Sequence, residues 1–311
     1  MGRVHQLIEA RGKAGAIGSG AANRDIIEAA ARYMSDEDNA LAFAYSGWAQ
    51  CALPHRRIAA GEVWEVASDR MRLVVEPGRR PSGRDGSGPL ELTSVPFGAY
   101  ARLILLYLQT EALRTNSPEV ELGRSWRDWM GRIGVPWGGS SGKAVREQAE
   151  LLSRCRLTFH LQGQGRAGLV NQSIVDRALF LDLPDGGRQG RLVLETARLS
   201  NAFFEQLKRH PIPLEESAIR SLSNNSAALD CYIWLVYRLH SLSTQRRVTW
   251  KALKAQHGQA YRQLYHFKNK FPAVLALAMA VYPDANVEVT EEGVILKPSR
   301  PPVAPRLIGS R

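Results

Sequence analysis

The feature that most constrains the fold is an order of secondary-structure signals that occurs twice along the chain. Residues 97–113 and 226–242 each carry apolar side chains at the three- and four-residue spacing of one helical face. After each of these segments the pattern predicts a short strand, two more helices and a closing pair of strands. That succession is the order of a winged helix. The sequence therefore predicts an α+β fold of two tandem winged-helix domains, mostly helical with short β-hairpins.

The predicted elements have definite limits in both halves. In the first half, a strand at 120–122 and a helix capped by Ser125 precede a glycine-rich turn at 138–142, a third helix at 143–154, and strands at 156–162 and 169–174. In the second half, the strand is 247–249, the helices are 250–256 and 261–282, and the hairpin strands are 287–289 and 294–297. The face of the last helix that is predicted to be core comprises Leu264, Phe267, Phe271, Val274, Leu275 and Ala278.

The N-terminal part differs from both halves. Residues 1–52 are predicted to be helical, with Ser35 capping a helix whose first turn carries Asp36, Glu37 and Asp38. Alternating side chains predict a hairpin over 62–75, and the Gly-, Pro- and Ser-rich stretch 77–89 predicts a flexible loop. The predicted division is thus a helical and hairpin segment at 1–94, winged helices at 95–190 and 191–298, and a flexible tail at 299–311.

The charge of the chain indicates its partners. Forty-one Lys and Arg against 30 Asp and Glu give a formal net charge of +11, and so basic a chain attracts polyanions, nucleic acid first and anionic membrane surfaces second. The longest apolar run, 271–282, is interrupted by Pro272, and it is shorter than the roughly 20 residues of a membrane-spanning helix. The N-terminus lacks the apolar core of a secretory signal. We therefore expect a cytoplasmic protein that binds nucleic acid and no membrane.

The basic residues of the second half lie where acidic residues are absent. Between Cys231 and Pro283 the sequence has no Asp or Glu. Acidic side chains repel phosphate, whereas Lys and Arg gain affinity by releasing counterions from DNA. Five side chains of the last helical segment lie opposite or beside its core face, and they are the predicted base-reading residues: Arg262, Tyr265, His266, Asn269 and Lys270. A solvated basic face without base contact is the alternative interpretation.

Other basic residues are predicted to contact the DNA backbone, which positions a protein without reading sequence. In the second half they are Arg246, Arg247, Lys251 and Lys254. In the first half they are Lys143, Arg146 and, at the tip between the closing strands, Arg166. Because Glu147 and Glu150 share a helix with Lys143, the first domain is predicted to serve dimerisation or backbone contact, and the second to be the principal DNA reader.

The sequence predicts no catalytic, metal or cofactor site. The segment from Gly138 to Ala144 resembles a phosphate loop, but it has three rather than four residues between its glycines, and Ala144 lacks the hydroxyl that binds magnesium. The seven histidines form no metal-binding pair, and three widely spaced cysteines are expected to be buried apolar residues. We expect a non-enzymatic protein; a metal- or ATP-dependent DNA-processing enzyme is the alternative from another class.

Several spaced blocks resemble one protein family. They are VPFGAYARL at 95–103, QTEALRTNS at 109–117, ELGRS at 121–125 and the pair Gly138-Gly139. Together they resemble the plasmid-encoded RepA-type replication initiators over about residues 95–160, with a similar layout to about 298. Trp126, Trp129 and Met130 stand where the family pattern has Leu and Phe, which is a substitution within the core.

The resemblance implies a protein that binds repeated double-stranded DNA sites in a plasmid origin, helps to open an adjacent AT-rich region, and recruits the host initiator and replicative helicase. It also implies a homodimer, which commonly represses its own gene, in equilibrium with a monomer that acts at the origin. Opening of this kind needs no covalent chemistry, because it is driven by tighter binding to distorted than to relaxed DNA. The sequence does not separate an initiator from a winged-helix repressor without a replication role.

Overall fold

The computed structural model describes residues 2–38, 40–68, 70–82, 87–161, 168–172, 174–180 and 194–303. The helices are α1 Arg3–Gly18, α2 Arg24–Met34, α3 Gly98–Thr115, α4 Trp126–Arg132, α5 Gly139–Arg154, α6 Asn201–Arg209, α7 Glu216–Leu222, α8 Ser226–Leu239, α9 Trp250–His257 and α10 Leu264–Met279. The strands are β1 Leu41–Tyr45, β2 Trp64–Ala67, β3 Met71–Glu76, β4 Arg79–Pro81, β5 Leu90–Leu92, β6 Glu119–Glu121, β7 Arg156–Leu161, β8 Gly168–Gln172, β9 Val175–Phe180, β10 Leu194–Leu199, β11 Pro211–Glu215, β12 Arg246–Thr249, β13 Val287–Val289 and β14 Gly293–Leu296. The fold is of the predicted α+β class.

The chain forms two compact units, and one of them contains both ends of the described chain. Met1–Ala42 and Ile212–Arg311 form the first, called here the terminal unit, and Phe43–Pro211 forms the second, the central unit. Strands β1 and β11 pair with each other. The structure therefore divides the chain differently from the linear prediction, whose boundaries after residues 94 and 190 both fall inside the central unit.

The terminal unit contains the second predicted series of elements. Helices α8, α9 and α10 are accompanied by a three-stranded antiparallel sheet in the order β12-β14-β13. Asn225 caps α8 and Thr249 caps α9 through their side-chain oxygens, as short polar residues do at helix starts. Helix α10 begins three residues later than predicted, because the chain first makes a turn in which the Tyr261 amide donates to the Gly258 carbonyl.

The N-terminal helices pack against the far end of α10. Ala29 and Ala30 of α2 are buried with Ala280, which directly follows α10. The His5 ring is fully buried and its Nε2 lies 2.9 Å from the Ala280 carbonyl oxygen. The N-terminal segment is therefore an integral part of the unit that carries α10.

The predicted helix after Ser35 was wrong. Ser35 instead ends α2, and the apolar residues that follow the acidic cluster form strand β1. Asp36 and Asp38 lie 3.0 Å and 3.3 Å from the Arg220 guanidinium of α7. The acidic residues therefore neutralise a cation that is distant in sequence, and pairing with β11 satisfies the backbone of β1.

In the central unit, the short strand after α3 has a different partner from the one expected. Strand β6 pairs with β10, which pairs with β9, so the sheet beside α3, α4 and α5 is β6-β10-β9. The predicted closing hairpin does form as β7 and β8, but it joins β2 and β3 in a separate four-stranded sheet. Strand β3 buries Met71, Leu73 and Val75 on one face, which gives β7 an apolar partner.

Two local predictions for the central unit also need correction. The stretch expected to be a loop contains β4, which pairs with β5. The glycine-rich turn before the third helix is largely helical, since α5 begins at Gly139 with Gly138 as its N-cap. By contrast, the hairpin predicted over 62–75 is confirmed as β2 and β3, and all three cysteines are buried and free.

A buried arginine organises the start of α3. Arg102 is 5% exposed. Its guanidinium donates to the carbonyl oxygens of Leu53 at 2.7 Å and Gly98 at 2.7 Å, and more weakly to that of Pro54. These bonds satisfy a charged group inside the unit, where an unsatisfied one would be costly, and they tie the segment before β2 to the helix.

The close pairing of β12 and β14 generates a stability prediction. A Cβ atom at Gly293 would lie 2.1 Å from the Val248 carbonyl oxygen. We expect Gly293→Ala to lower the free energy of unfolding by about 1–3 kcal/mol, because strands must shift to admit the methyl group. Urea denaturation measures the change. The matched control is Gly18→Ala, where a Cβ would meet nothing within 4 Å; equal stability of both variants would contradict the prediction.

Candidate nucleic-acid interface

Helix α10 separates a core face from an exposed polar face. Of the six residues predicted for the core face, Phe267, Phe271, Leu275 and Ala278 are buried. Val274 is half-buried and Leu264 is exposed. All five residues predicted to read bases are exposed: Arg262, Tyr265, His266, Asn269 and Lys270. Four of them lie on α10, and Arg262 lies in the turn before it. The structure therefore presents these side chains together at one end of a single helix, while their role in DNA binding stays a prediction.

Trp250, the first residue of α9, fixes α10 in place. Its ring contacts those of Phe267 and Phe271, with centroids 6.3 Å and 6.5 Å apart. Its indole Nε1 donates to the carbonyl oxygens of Thr290 and Glu291, in the turn between β13 and β14. One side chain thus links the start of α9, the core face of α10 and the hairpin. The sequence analysis did not single out Trp250, although an apolar residue next to a helix cap was visible.

The first turn of α10 carries an aromatic pair. The Tyr265 side chain is 66% exposed, and its ring meets that of His266 edge to face with centroids 5.6 Å apart. The phenol hydroxyl and the imidazole nitrogens both donate and accept hydrogen bonds. Together with the amide of Asn269 and the guanidinium of Arg262, this end of the helix offers the hydrogen-bonding groups that base edges require.

The predicted backbone-contact residues of the terminal unit differ in their surroundings. Arg246 and Lys251 are exposed, and Lys254 is half-buried. Arg247 forms an ion pair with Glu292 in the turn of the hairpin. The acid-free stretch of sequence therefore does not produce an acid-free surface, because β-pairing brings a carboxylate from outside that stretch beside one of its arginines.

In the central unit, α5 carries a mixed charged surface. Lys143 and Arg146 are exposed, and the Arg146 guanidinium lies 5.2 Å from the centre of the Trp126 ring. Glu147 pairs with Arg57, and Glu150 lies 3.1 Å from Arg154 and 3.8 Å from Arg80.

Those ion pairs change the surface charge that the sequence predicts for α5. Both carboxylates, which the sequence analysis counted against DNA contact, have arginine partners that lie outside or at the end of the helix. The remaining predicted contact, Arg166, lies outside the described residues.

Two kinds of feature, metal-binding clusters and membrane-spanning helices, are absent from the residues that the structure describes. No group of three or more His, Cys, Asp or Glu side chains within them is arranged to hold a metal ion. No helix within the same ranges is long and apolar enough to cross a membrane.

Comparison with known proteins gives one family and one fold. Residues 95–252 match the family described as plasmid-encoded RepA protein, which is about half of the chain. No curated protein matched the chain. A crystal structure of domains 2 and 3 of RctB, a selenomethionine derivative, superposes with a TM-score of 0.50 at 13% identity and covers 82% of this chain and 98% of its own. A second RctB structure of domains 2–3 gives 0.45 at 13% identity and covers 82% and 97%. At this identity the first likeness is one of fold.

The Trp250 contacts generate a prediction for the hairpin. Trp250→Phe keeps an aromatic ring against α10 but loses the indole N–H that bonds to Thr290 and Glu291. We expect faster amide hydrogen exchange in β13 and β14 and a loss of about 1 kcal/mol of stability. The control is Trp137→Phe, at a side chain that is 57% exposed, which should leave exchange in the hairpin unchanged. Unaltered exchange in Trp250→Phe would show that the indole bonds do not hold the hairpin.

Proposed function

Because the chain belongs to the family of plasmid-encoded RepA proteins, we propose that it initiates plasmid replication by binding repeated double-stranded DNA sites in the plasmid origin. We further propose that the central and terminal units each contain a winged helix and that the terminal unit is the principal DNA reader. The observation that carries this proposal is the exposed end of α10, a helix held on its other side by a buried aromatic core. Tyr265, His266, Asn269 and Lys270 are exposed on the helix, and Arg262 is exposed in the turn before it.

The arrangement of α8, β12, α9, α10 and the hairpin β13–β14 supports the winged-helix assignment. In helix-turn-helix proteins the second helix of the motif lies in the major groove, with its N-terminal residues on the base edges. Helix α10 follows α9, and Tyr265 and His266 are exposed in its first turn. An Arg bidentate to guanine and an Asn bidentate to adenine are favoured base contacts, and Arg262 and Asn269 supply one of each.

Backbone contacts are proposed for Arg246, Lys251 and Lys254 in the terminal unit and for Lys143 and Arg146 in the central unit. These side chains are exposed or half-buried and place positive charge beside a polyanion. Arg247 is also proposed to contact DNA, in competition with its ion pair to Glu292. Both side chains of this ion pair are exposed, and exposed ion pairs are weak. The high density of phosphate charge along DNA would therefore displace Glu292 from Arg247.

The remaining steps of initiation follow from the same family. We propose that binding promotes opening of an adjacent AT-rich region, that host initiator and replicative helicase are then recruited, and that a homodimer in equilibrium with the monomer represses the protein's own gene. These roles require differential binding to distorted and relaxed DNA and no covalent step, so we propose a non-enzymatic protein. Plasmid DNA lies in the cytoplasm, and we propose that the protein acts there.

Fluorescence anisotropy with the source plasmid's origin repeats and a scrambled duplex, at two salt concentrations, tests the binding proposal. We expect a preference of about a thousandfold or more for the origin. Equal and salt-sensitive binding to both duplexes would contradict it. Permanganate oxidation of unpaired thymines in the AT-rich region then separates initiation from repression alone, since a repressor would bind without making those thymines reactive.

Base reading by α10 predicts a selective loss of affinity. Arg262→Ala and Asn269→Ala should each weaken binding to the origin repeat by about 1–3 kcal/mol and change binding to scrambled DNA little, because each removes hydrogen bonds to one base. Arg11→Ala, at an exposed position of α1 in the same unit, serves as the control. Equal losses on both duplexes would show that these side chains contribute only charge.

Backbone contact by Lys251 predicts a different signature. Lys251→Ala should weaken binding to all DNA similarly and reduce the slope of log affinity against log salt by about one. The matched control is Lys13→Ala, another exposed lysine of the terminal unit. An unchanged slope for Lys251→Ala would place this residue outside the interface.

A further inference from the structure

The terminal unit exposes three large apolar side chains within its described residues. Two lie at the start of α10, which is proposed to read DNA, and the third lies on the hairpin. Leu264 and Tyr265, 39% and 66% exposed, begin α10, and Val289, 47% exposed, ends β13 of the hairpin. Single exposed apolar residues are ordinary on protein surfaces. What requires an explanation is that these three side chains all lie in the first turn of α10 or in the hairpin.

Packing inside the unit does not account for Leu264. Its spacing from Phe267 and Phe271 places it on the side of α10 that the sequence predicts to be core. The corresponding space is occupied by other rings: Tyr261 lies 5.7 Å from Phe267, and Trp250 lies 6.3 Å from it, centroid to centroid. Leu264 therefore extends beyond the end of the aromatic core into solvent.

The surroundings of Leu264 identify the chemistry of its partner. Helices α9 and α10 carry no acidic residue, whereas Arg262, Lys268 and Lys270 surround the first turn of α10 in sequence. These cations favour an anionic partner, and the exposed leucine favours one that also presents an apolar group. In the major groove of DNA, the 5-methyl group of thymine is the apolar group on a base edge, and apolar side chains contact it.

We propose that Leu264 packs against the 5-methyl group of a thymine, with Tyr265 beside it, and so selects thymine at a position under the first turn of α10. This inference rests on the proposed function and adds a specificity determinant that makes no hydrogen bond. A leucine side chain distinguishes thymine from other bases only by this methyl contact. Arg262 and Asn269 are the polar contacts proposed for the opposite side of this end of the helix, and Leu264 adds an apolar contact from the core side.

The test uses the full-length protein and a duplex selected by it from a random library. Each thymine of the selected duplex is replaced in turn by deoxyuridine, which keeps the hydrogen-bonding groups of thymine and lacks only the methyl group. Affinities are measured by fluorescence anisotropy. With the unaltered protein we expect about a fourfold loss at one or two positions, which corresponds to the burial of one methyl-sized group.

A double-mutant cycle connects that loss to Leu264. In Leu264→Ala the same deoxyuridine replacement should have no effect, because the contact is already lost. In Leu264→Met, which keeps an apolar side chain of similar volume, the effect of the replacement should persist. Leu90→Ala, at a leucine of the central unit that is 60% exposed, is the matched control and should keep the full effect. The exposure of Leu264 favours folding of both variants, and circular dichroism verifies it.

The outcomes separate the inference from the proposed function. Recovery of no preferred duplex from the library would contradict the proposed function itself. A preferred duplex without any position sensitive to deoxyuridine would leave the function in place and overturn the role of Leu264. If the deoxyuridine replacement weakens binding equally in the unaltered protein and in Leu264→Ala, the methyl contact belongs to another residue. That result would also overturn the role of Leu264.

Discussion

The geometry of the candidate interface depends on the side chain of Trp250. Its ring packs against Phe267 and Phe271 of α10, and its indole nitrogen donates to two carbonyl oxygens in the turn of the hairpin. The proposed reading of DNA requires α10 to keep a fixed position relative to the hairpin, because base contacts tolerate only small errors. A buried aromatic ring provides that fixed position through packing, and the two hydrogen bonds set its orientation.

Charge in this protein is arranged by the fold as much as by the sequence. The stretch without acidic residues contains Arg247, yet β12–β14 pairing places Glu292 beside it. In the central unit, the carboxylates of α5 meet Arg57, Arg80 and Arg154. Exposed ion pairs of this kind contribute little stability. Their main effect is to determine which cationic side chains can bind a polyanion, and at what ionic strength they can do so.

Local pattern predicted the elements from α8 to β14 well, because helical spacing, caps and a turn are properties of neighbouring residues. It placed Phe267, Phe271, Leu275 and Ala278 in the core and left His266 and Asn269 exposed, as the structure has them. It failed where the partner is distant. Examples are the pairing of β6 with β10 and the packing of α2 near Ala280. In each case several strands or helices are compatible partners, and the local pattern does not select one. The prediction put Leu264 in the core, whereas its side chain is exposed, because helical periodicity does not show where a core ends.

The discontinuity of the terminal unit has a consequence for the order in which the protein is made. Helices α1 and α2 leave the ribosome before the central unit, but the residue they pack against, Ala280, is synthesised only after the whole of that unit. The central unit can thus complete its fold while the N-terminal helices still lack their partner. The surface proposed to read DNA is completed only after the central unit, so a nascent chain does not present it until the hairpin and α10 have both emerged.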